Sequence, residues 1–356
     1  MSFTPNPQAP IAVTGASGYI ASWIVKELLE QGRTVHATVR DPGKASSVAH
    51  LKKAAADAPG TLKLFKADLL TEGSFDEAVQ GCEVVIHTAS PFVITGFTDA
   101  NEALVRPAVE GTRNVLKAVE RTESVKRVVL TSSVASIFGD NCDAASLPGN
   151  RLTEANWNET SSVDHQPYSY SKVAAEREAW KMHKAQKQPR WQLTCINPSL
   201  VMGPSLTTQS QSTSISTMLD MGRGKMRTGV PKLEFGLVDV RDVAHAHVLA
   251  AEKTEVLDRY ITNEATYSLL DMASILRQDF PQYPLPKSTV PKAVVWVVGP
   301  WTSGVTRDFI SKNVGYHLEL DNTRSRQQLG LKYRPMRETL SAMMTQLIDD
   351  GLIRKR

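Results

Sequence analysis

Short apolar runs alternate with longer amphipathic segments over the first half of the chain. The short runs predict buried strands, and the segments whose apolar residues recur three or four positions apart predict helices. Ile20, Ile24 and Leu28 mark the first helix in this way. Strands are predicted at residues 11–13, 34–39, 62–65, 84–88, 128–131 and 193–197, and later helices at 45–58, 109–120 and within 166–184. This alternation builds a parallel sheet with right-handed crossovers and helices on both faces.

The pattern changes after Pro198. Residues 205–217 are rich in Ser, Thr and Gln and predict a long loop. A strand and a helix follow over 237–252, with Asp242 as the predicted helix N-cap. The remaining predictions are a strand at 260–262, helices at 268–278 and 336–351, and a proline-punctuated connector at 281–291.

These elements predict an α/β fold: a doubly wound, Rossmann-type parallel sheet with a smaller C-terminal α/β lobe. The sheet domain is assigned to residues 1–198, with 235–262 returning to the sheet. The substrate lobe is assigned to residues 199–234 and 263–356. Trp296 and Trp301 are expected in the core of that lobe, although a lid or an oligomer contact would also suit them.

Composition narrows the function classes. The chain has 356 residues, 41% of them hydrophobic, and a net charge of +4 that is spread along it. We therefore expect a large core and no nucleic-acid partner. Three cysteines without metal-ligand spacing favour a reducing cytoplasm and no metal. The first ten residues do not resemble a signal peptide, and the apolar run 293–298 is short for a membrane span, so no membrane partner is expected.

A glycine turn joins the first strand to the first helix, in the sequence Thr14-Gly-Ala-Ser-Gly-Tyr-Ile-Ala21. Gly15 allows the turn, Gly18 allows close approach of phosphates, and Ala21 keeps the helix near the strand. Free N–H groups at a helix start favour a pyrophosphate. An ordinary tight turn is the alternative. The cofactor contacts predicted here are Gly15, Ser17, Gly18, Tyr19 and Ile20.

The ends of the second and third strands suggest which dinucleotide binds. No acid occupies the second strand's end, where Arg40 offers a planar fork for a 2′-phosphate and Lys44 adds charge. This favours NADP(H) over NAD, unless Asp41 pairs with Arg40 or Arg40 is simply solvated. Asp68, followed by Leu69, could accept a proton from the adenine amino group, or could cap a turn.

Small residues Thr88, Ala89 and Ser90 follow the fourth strand and would let the cofactor pass close to the backbone. His87, inside that strand, is expected to be a hydrogen-bonded core histidine rather than a catalyst.

The strongest catalytic signal is Tyr168-Ser-Tyr-Ser-Lys172, which places Tyr168 and Lys172 on one helix face. A neighbouring ammonium is expected to lower the tyrosine pKa toward the operating pH and so suit proton transfer. Tyr170 points elsewhere. Upstream, Ser133 is favoured over Ser132 as the group that polarises a substrate carbonyl. Each motif alone also fits an ordinary surface pair or strand end, whereas their combination along one sheet favours a catalyst.

The chain resembles the extended short-chain dehydrogenases/reductases. The matching segments are residues 14–21, 67–69, 87–91, 130–133, 168–172, 197–198 with 203–204, and 239–246. Within that family it looks most like the branch of dihydroflavonol reductases, cinnamoyl-CoA reductases and yeast methylglyoxal/ketone reductases. It differs from cinnamoyl-CoA reductases around the tyrosine, with Gln166-Pro-Tyr-Ser-Tyr-Ser-Lys172 in place of Asn-Trp-Tyr-Cys-Tyr-Gly-Lys, which disfavours a CoA thioester.

The resemblance implies NADPH as reductant, Tyr168 as proton donor, Ser133 as the orienting group, and Lys172 as holder of the nicotinamide ribose. It also implies cofactor contacts from Thr131 and from Pro198, Ser199, Leu200 and Val201. The substrate wall is expected to include Ser90, Phe92, Ser133, Phe138, Tyr168, Leu200 and the loop near Ser214.

The function expected from these observations is NADPH-dependent reduction of an aldehyde or ketone by a monomer or homodimer. Within enzymes, the alternatives are a nucleotide-sugar epimerase or dehydratase and a hydroxysteroid-type dehydrogenase. A non-catalytic NADP-sensing protein is the alternative from another class, which the presence of both Tyr168 and Lys172 argues against.

Overall fold

The computed structural model describes residues 3–90, 99–207, 212–302 and 305–355. Its strands are β1 (Ile11–Thr14), β2 (Thr34–Val39), β3 (Thr61–Lys66), β4 (Val84–His87), β5 (Arg127–Thr131), β6 (Arg151–Leu152), β7 (Gln192–Pro198), β8 (Leu200–Met202), β9 (Val230–Pro231), β10 (Glu234–Asp239), β11 (Asp258–Thr262), β12 (Ala265–Ser268), β13 (Thr289–Val290) and β14 (Glu319–Leu320). Its α-helices are α1 (Tyr19–Glu30), α2 (Ala45–Ala56), α3 (Asp76–Val79), α4 (Arg106–Arg121), α5 (Pro167–Lys184), α6 (Thr213–Gly222), α7 (Val240–Glu252), α8 (Leu269–Asp279), α9 (Lys292–Thr302), α10 (Arg307–Asn313) and α11 (Met336–Asp349).

Among the described residues, seven parallel strands form the main sheet in the order β11-β7-β5-β4-β1-β2-β3. The chain winds outward from β1 in one direction and from β4 in the other. The predicted doubly wound α/β sheet is therefore confirmed. Its switch point lies between β1 and β4, whose ends are paired Thr14 to His87.

Two apolar clusters cover the faces of this sheet. Ile24 and Leu28 of α1 pack with Val48 and Leu51 of α2 and with residues of α7 on one face. On the other face, α3, α4 and α5 pack around Trp191, which is 2% exposed. Because both faces are covered, the central strands are fully buried, and this explains why they appear in the sequence as continuous apolar runs.

A smaller sheet, in the order β12-β10-β8, belongs to the C-terminal half. Of the segment 235–262, β11 joins the main sheet, whereas β10 pairs with β8 and β12. A separate core fills this region with methionine and leucine side chains from α6, α8 and α11. The chain crosses between the two sheets at Pro198, where β7 ends and β8 begins two residues later.

The N-cap of α7 is Asp239, not the predicted Asp242. The Asp239 carboxylate accepts a hydrogen bond from the backbone N–H of Arg241 at 2.7 Å. Asp242 lies in the first helical turn, 1% exposed, and pairs with Arg334 near the start of α11. The prediction was wrong because both aspartates suit a helix start, and the strand β10 is longer than the apolar run suggested.

Two further expectations about the C-terminal half are wrong. The predicted loop 205–217 overlaps α6, whose N-cap Ser212 accepts a hydrogen bond from Ile215 N at 3.2 Å. Trp296 and Trp301 of α9 are not core residues, since they are 42% and 84% exposed. Among the residues of α9 whose burial is described, Gly299 is the buried one, and it faces Ile310 of α10.

No helix among the described residues combines the length and the apolar character that crossing a bilayer requires.

Candidate active site

The turn after β1 lies at the switch point of the sheet, where ligands bind in doubly wound folds. Gly15 has φ +63°, and a Cβ placed there would lie 2.9 Å from the Cα of Ala89. Glycine is therefore required at this position, both for its backbone conformation and for the approach of the loop that follows β4. Ala89, one of the small residues predicted to line the cofactor path, therefore lies directly against this turn.

The start of α1 presents unpaired backbone donors. Gly18 N donates to Gly15 O at 2.9 Å and closes the turn, and the first intrahelical bond runs from Ser22 N to Gly18 O. The N–H groups of Tyr19 and Ile20 precede that bond and have no helical acceptor. Together with the helix dipole they fit a pyrophosphate. The Tyr19 hydroxyl is engaged elsewhere, since it donates to Gly203 O at 2.6 Å.

Two threonines that the sequence reasoning did not single out hold this edge together. Thr38 Oγ1 accepts from Gly15 N at 3.2 Å. Thr14 Oγ1 accepts from the backbone N–H groups of Thr88 and Ala89 at 3.2 and 3.1 Å, and it also contacts His87 Nδ1 at 2.8 Å. Both threonines lie near the carboxyl ends of predicted strands, which was the available signal.

His87 is buried and hydrogen-bonded, as the sequence predicts. Burial, with a smaller contribution from Lys172, lowers the pKa of His87 to about 3. The imidazole is therefore neutral at ordinary pH, and it does not act as a cation at this site.

The side chains at the ends of β2 and β3 are exposed. Within the described residues, neither Arg40 nor Lys44 forms an ion pair, and the Asp41 carboxylate accepts from Gly43 N at 2.9 Å instead of pairing with Arg40. Arg40 therefore keeps its fork available for a phosphate. One oxygen of Asp68 accepts from Leu70 N at 2.9 Å, as in the turn alternative, and the Leu69 carbonyl accepts from Asn114.

Helix α5 places Tyr168 and Lys172 together at the same edge of the sheet. Pro167 occupies its first position, where a missing N–H costs nothing. Lys172 Nζ lies 5.5 Å from the centre of the Tyr168 ring and donates a hydrogen bond to Ser90 Oγ at 2.9 Å. The structure thus brings together three of the predicted site residues, from α5 and from the loop after β4.

The expected lowering of the Tyr168 pKa is wrong for this structure. Burial raises the pKa of Tyr168 to about 12, and burial also lowers the pKa of Lys172 to about 8. Removal from water disfavours the charged form of each group. The Lys172 amine donates a hydrogen bond to Ser90 Oγ, and burial is the cause that raises the pKa of Tyr168.

The two serines after β5, Ser132 and Ser133, have different hydrogen-bond partners. Ser132 is 7% exposed and donates to the Glu176 carboxylate at 2.5 Å. Ser133 is half-buried and begins a 3-10 turn (Val134–Ser136), in which its Oγ accepts from Ala135 N at 3.1 Å. Helix α5 packs against this turn. Ser132 therefore has a buried partner, whereas the hydroxyl hydrogen of Ser133 remains available for another acceptor.

The other predicted cofactor contacts lie along the same edge. The Thr131 hydroxyl contacts Nε2 of buried His247 at 2.7 Å, so its side chain already has a partner. Pro198 ends β7, and the next residue, Ser199, donates from its N–H to Thr262 O at 3.0 Å. Leu200 and Val201, in β8, are half-buried.

The predicted substrate wall receives less support. Phe138 packs on a cluster that includes Leu152 and Leu318, and Leu200 packs on the core of the small sheet. Ser214 is buried within α6. Phe92 lies outside the described residues. No group of three His, Cys, Asp or Glu side chains suited to a metal occurs in the ranges described.

Glu176 is a residue near the site that sequence reasoning missed. It follows Lys172 by one helical turn, as Lys172 follows Tyr168, and its carboxylate is fully buried. The signal was this repeated spacing of four, which puts all three side chains on one face of α5.

Comparisons with known proteins agree with this geometry. A family model described as "NAD dependent epimerase/dehydratase family" matches residues 11–262. Tetraketide alpha-pyrone reductase 1 of Arabidopsis thaliana is 35% identical over 346 residues, which cover 96% of each chain. Cinnamoyl-CoA reductase CAD2 of Medicago truncatula is 40% identical, over 78% of this chain and 82% of its own. The crystal structure of yeast methylglyoxal/isovaleraldehyde reductase Gre2, complexed with NADPH, matches 97% of this chain and all of its own, with 29% identity and a TM-score of 0.78.

The family model spans β1 to β11 and so covers every strand of the main sheet, together with the turn at Gly15 and the pair Tyr168 and Lys172. The relatives extend the likeness into the small sheet and its helices. The resemblance to reductases of the extended short-chain type is confirmed, and the chain belongs to the NAD dependent epimerase/dehydratase family.

Proposed function

We propose that this protein is an NADPH-dependent carbonyl reductase that converts an aldehyde or a ketone to an alcohol. The observation that carries the proposal is the position of Lys172 between Ser90 and the Tyr168 ring. This pair lies at the same sheet edge as the turn at Gly15, where α1 presents its free N–H groups. The likeness to a reductase whose crystal structure holds NADPH supports both the activity and the cofactor.

NADPH fits the residues present. The N–H groups of Tyr19 and Ile20 would hold the pyrophosphate, and Arg40, which is exposed and has no ion pair among the described residues, would hold the 2′-phosphate. Lys172 would bind the nicotinamide ribose. When bound, NADPH supplies the hydride that reduces the carbonyl carbon. The other predicted contacts, from Ser17, Gly18, Lys44, Asp68, Leu69, Thr88, Ala89, Thr131 and residues 198–201, remain part of this proposal.

Tyr168 provides the proton. With a pKa of about 12, its phenol stays protonated at ordinary pH and can donate from Oη to the carbonyl oxygen. Lys172 in its charged form then stabilises the phenolate that remains. Ser133 Oγ donates a hydrogen bond that orients and polarises the carbonyl, since its own acceptor site is already filled by Ala135 N.

The residues around the proposed site favour one class of substrate. Ser90 and Ser133 would meet the carbonyl group, and the few charged groups expected on the wall favour an aldehyde or ketone of moderate size over a sugar nucleotide. Residues 199–234 and 263–356 would supply that wall as a substrate lobe.

Cys82 and Cys195 are buried free thiols, which supports a reducing compartment such as the cytoplasm. A monomer and a homodimer both remain compatible with the proposal.

To test this, the purified protein is mixed with NADPH and a panel of aromatic and aliphatic aldehydes and ketones, and oxidation of the cofactor is followed. We expect turnover with at least one carbonyl and much less with NADH. A cinnamoyl-CoA thioester serves as a comparison and is expected to react poorly. Absence of NADPH oxidation across the panel would contradict the proposal.

The family model also names epimerases and dehydratases, so a sugar-nucleotide enzyme is the second candidate. Enzymes of that kind keep the dinucleotide bound through each catalytic cycle. Heat denaturation of the purified protein, followed by analysis of released cofactor, separates the two. NAD in the supernatant would mean that the native protein had retained it through purification, and this would favour the epimerase. No released NAD, together with NADPH turnover, would favour the reductase.

A further inference from the structure

A buried carboxylate, Glu176, lies behind the proposed catalytic side chains. It follows Lys172 by one turn of α5, and its side chain has no exposed surface. Burying a carboxylate costs free energy unless hydrogen bonds and an opposite charge compensate for the lost water. Both surround the Glu176 carboxylate, so it belongs to a buried network of polar side chains.

The donors to Glu176 come from several separate segments of the chain. Oε2 accepts from Ser132 Oγ and Ser136 Oγ, each at 2.5 Å, and from Asn197 Nδ2 at 2.9 Å. Oε1 accepts from Arg259 Nε at 2.6 Å and from Trp180 Nε1 at 3.2 Å. One carboxylate thus joins α5 to the ends of β5 and β7 and to β11.

The segments it joins are those that carry the proposed site. Ser132 directly precedes Ser133, and Ser136 ends the turn that Ser133 begins. Asn197 directly precedes Pro198, and its amide also donates to the Ser133 carbonyl at 3.3 Å. A shift of the Glu176 carboxylate would therefore displace Ser133 and Pro198 relative to Tyr168 and Lys172.

Arg259 fixes the carboxylate from the opposite side. Its Nη1 donates to the carbonyl oxygens of Glu154 and Asn156 at 2.8 and 2.5 Å, and its guanidinium lies 3.9 Å from the centre of the Trp157 ring. Because every arm of the fork has a partner, the pair has one arrangement. Buried ion pairs add little net stability compared with apolar residues, so stability alone does not account for this pair.

We propose that Glu176, held by Arg259, is a positioning residue that sets Ser133 and the chain at Pro198 against Tyr168 and Lys172. It acts through Ser132, Ser136 and Asn197, and does not itself touch the substrate. This proposal rests on the proposed reductase function.

The first test compares Glu176→Gln with Asp242→Asn in steady-state kinetics. Asp242 is an equally buried carboxylate paired with an arginine, but its partner is Arg334, which is not one of the proposed site residues. We expect Glu176→Gln to lower kcat about 100-fold, since small misplacements of reacting groups cost this much. The Kd for NADPH should stay within about threefold, and Asp242→Asn should leave kcat nearly unchanged. Equal losses in both variants, or a folded Glu176→Gln with kcat within about twofold of wild type, would overturn the proposal.

A second set of variants covers the case in which Glu176→Gln does not fold. Ser132→Ala removes one donor and keeps the ion pair, and we expect a loss in kcat of about tenfold without a large change in KM. Where the double variant folds, adding Ser132→Ala to Glu176→Gln should cause no further loss, because the hydroxyl acts through the carboxylate. Ser132→Ala at wild-type rate, or fully additive losses, would contradict the proposal.

Amide hydrogen exchange separates this proposal from the proposed function. Ser136 N donates to Ser133 O at 3.0 Å and Ile137 N donates to Val134 O at 2.8 Å, so both amides report on the turn. We expect at least tenfold faster exchange at these amides in Ser132→Ala than in wild type, whether or not any carbonyl is reduced. Unchanged exchange would overturn the positioning role even if the wild-type protein proves to be a reductase.

Discussion

Burial drives Tyr168 and Lys172 toward the neutral form of each group. The pKa of Tyr168 rises to about 12 and that of Lys172 falls to about 8. The first effect keeps a proton on the proposed donor. The lower pKa of Lys172 means that this side chain gains or loses its charge within the ordinary range of pH.

This predicts the pH dependence of the reaction. Lys172 is charged below a pH of about 8 and neutral above it. Since the charged amine would hold the ribose and stabilise the phenolate, kcat/KM for NADPH should fall by about tenfold per pH unit above that value. Initial rates measured across the pH range check this, because kcat/KM reports groups of the free enzyme. A profile that stays flat well above pH 9 would show that the charge of Lys172 is not required.

The sequence could place these residues but could not assign their energetics. The spacing of four predicted one helix face for Tyr168 and Lys172, and the structure agrees with that placement. Their desolvation depends on packing from other elements, which spacing does not report. The same limit applied to Glu176, because its buried partners lie on β11, β7 and the segment after β5.

At the scale of elements, helix caps show where local sequence was ambiguous. Asp239 and Asp242 both precede apolar helical residues, and only tertiary contacts decide between them. Asp239 caps α7, pairs with Arg241 and accepts from Thr339 Oγ1 of α11 at 2.8 Å. It therefore links two helices and the end of a strand, whereas an ordinary cap serves a single helix.

This link predicts a difference between two caps. Asp239→Ala should lower the free energy of unfolding by about 3 kcal/mol, because it removes the helix cap, the ion pair with half-buried Arg241 and the acceptor of the buried Thr339 hydroxyl. Ser268→Ala, at the capping box that begins α8, should cost only about 1 kcal/mol. Denaturant unfolding of both variants measures this. Equal losses would mean that Asp239 acts as a simple cap.

Helix α9 shows a different limit of sequence reasoning. Val294, Val297, Val298 and Trp301 recur at helical spacing, which usually marks a buried face. All four are exposed, and Trp301 is 84% exposed. The apolar run 293–298 was not assigned to a helix, and its spacing does not show which side of α9 meets the protein.

At the scale of the whole molecule, the main sheet was the most predictable part. Its strands are apolar runs separated by helices, and the handedness of parallel crossovers then leaves few topologies. The small sheet was harder to predict because β8 and β12 are short and β10 pairs with strands distant in the chain. Prolines and polar stretches there gave no periodic signal.

Cofactor choice should be visible as stabilisation of the whole fold. A ligand that binds only the folded state, at a concentration about 100 times its Kd, adds about 2.7 kcal/mol to the free energy of unfolding. NADPH should therefore raise the melting temperature more than NADH at the same concentration. Arg40→Ala should remove most of this difference in melting temperature. Lys66→Ala, at the exposed end of β3, is the control variant and should leave the difference in place. If Arg40→Ala weakens the effects of both cofactors equally, the 2′-phosphate is held elsewhere.

The central claim is that Tyr168 donates the proton to a carbonyl at this sheet edge. The most direct measurement compares wild type with Tyr168→Phe for both the rate of NADPH oxidation with a carbonyl substrate and the Kd for NADPH. We expect the rate to fall by at least about 100-fold while the Kd stays within about threefold, because general acid catalysis contributes roughly 10²–10⁴-fold. An undiminished rate in Tyr168→Phe would contradict the assignment.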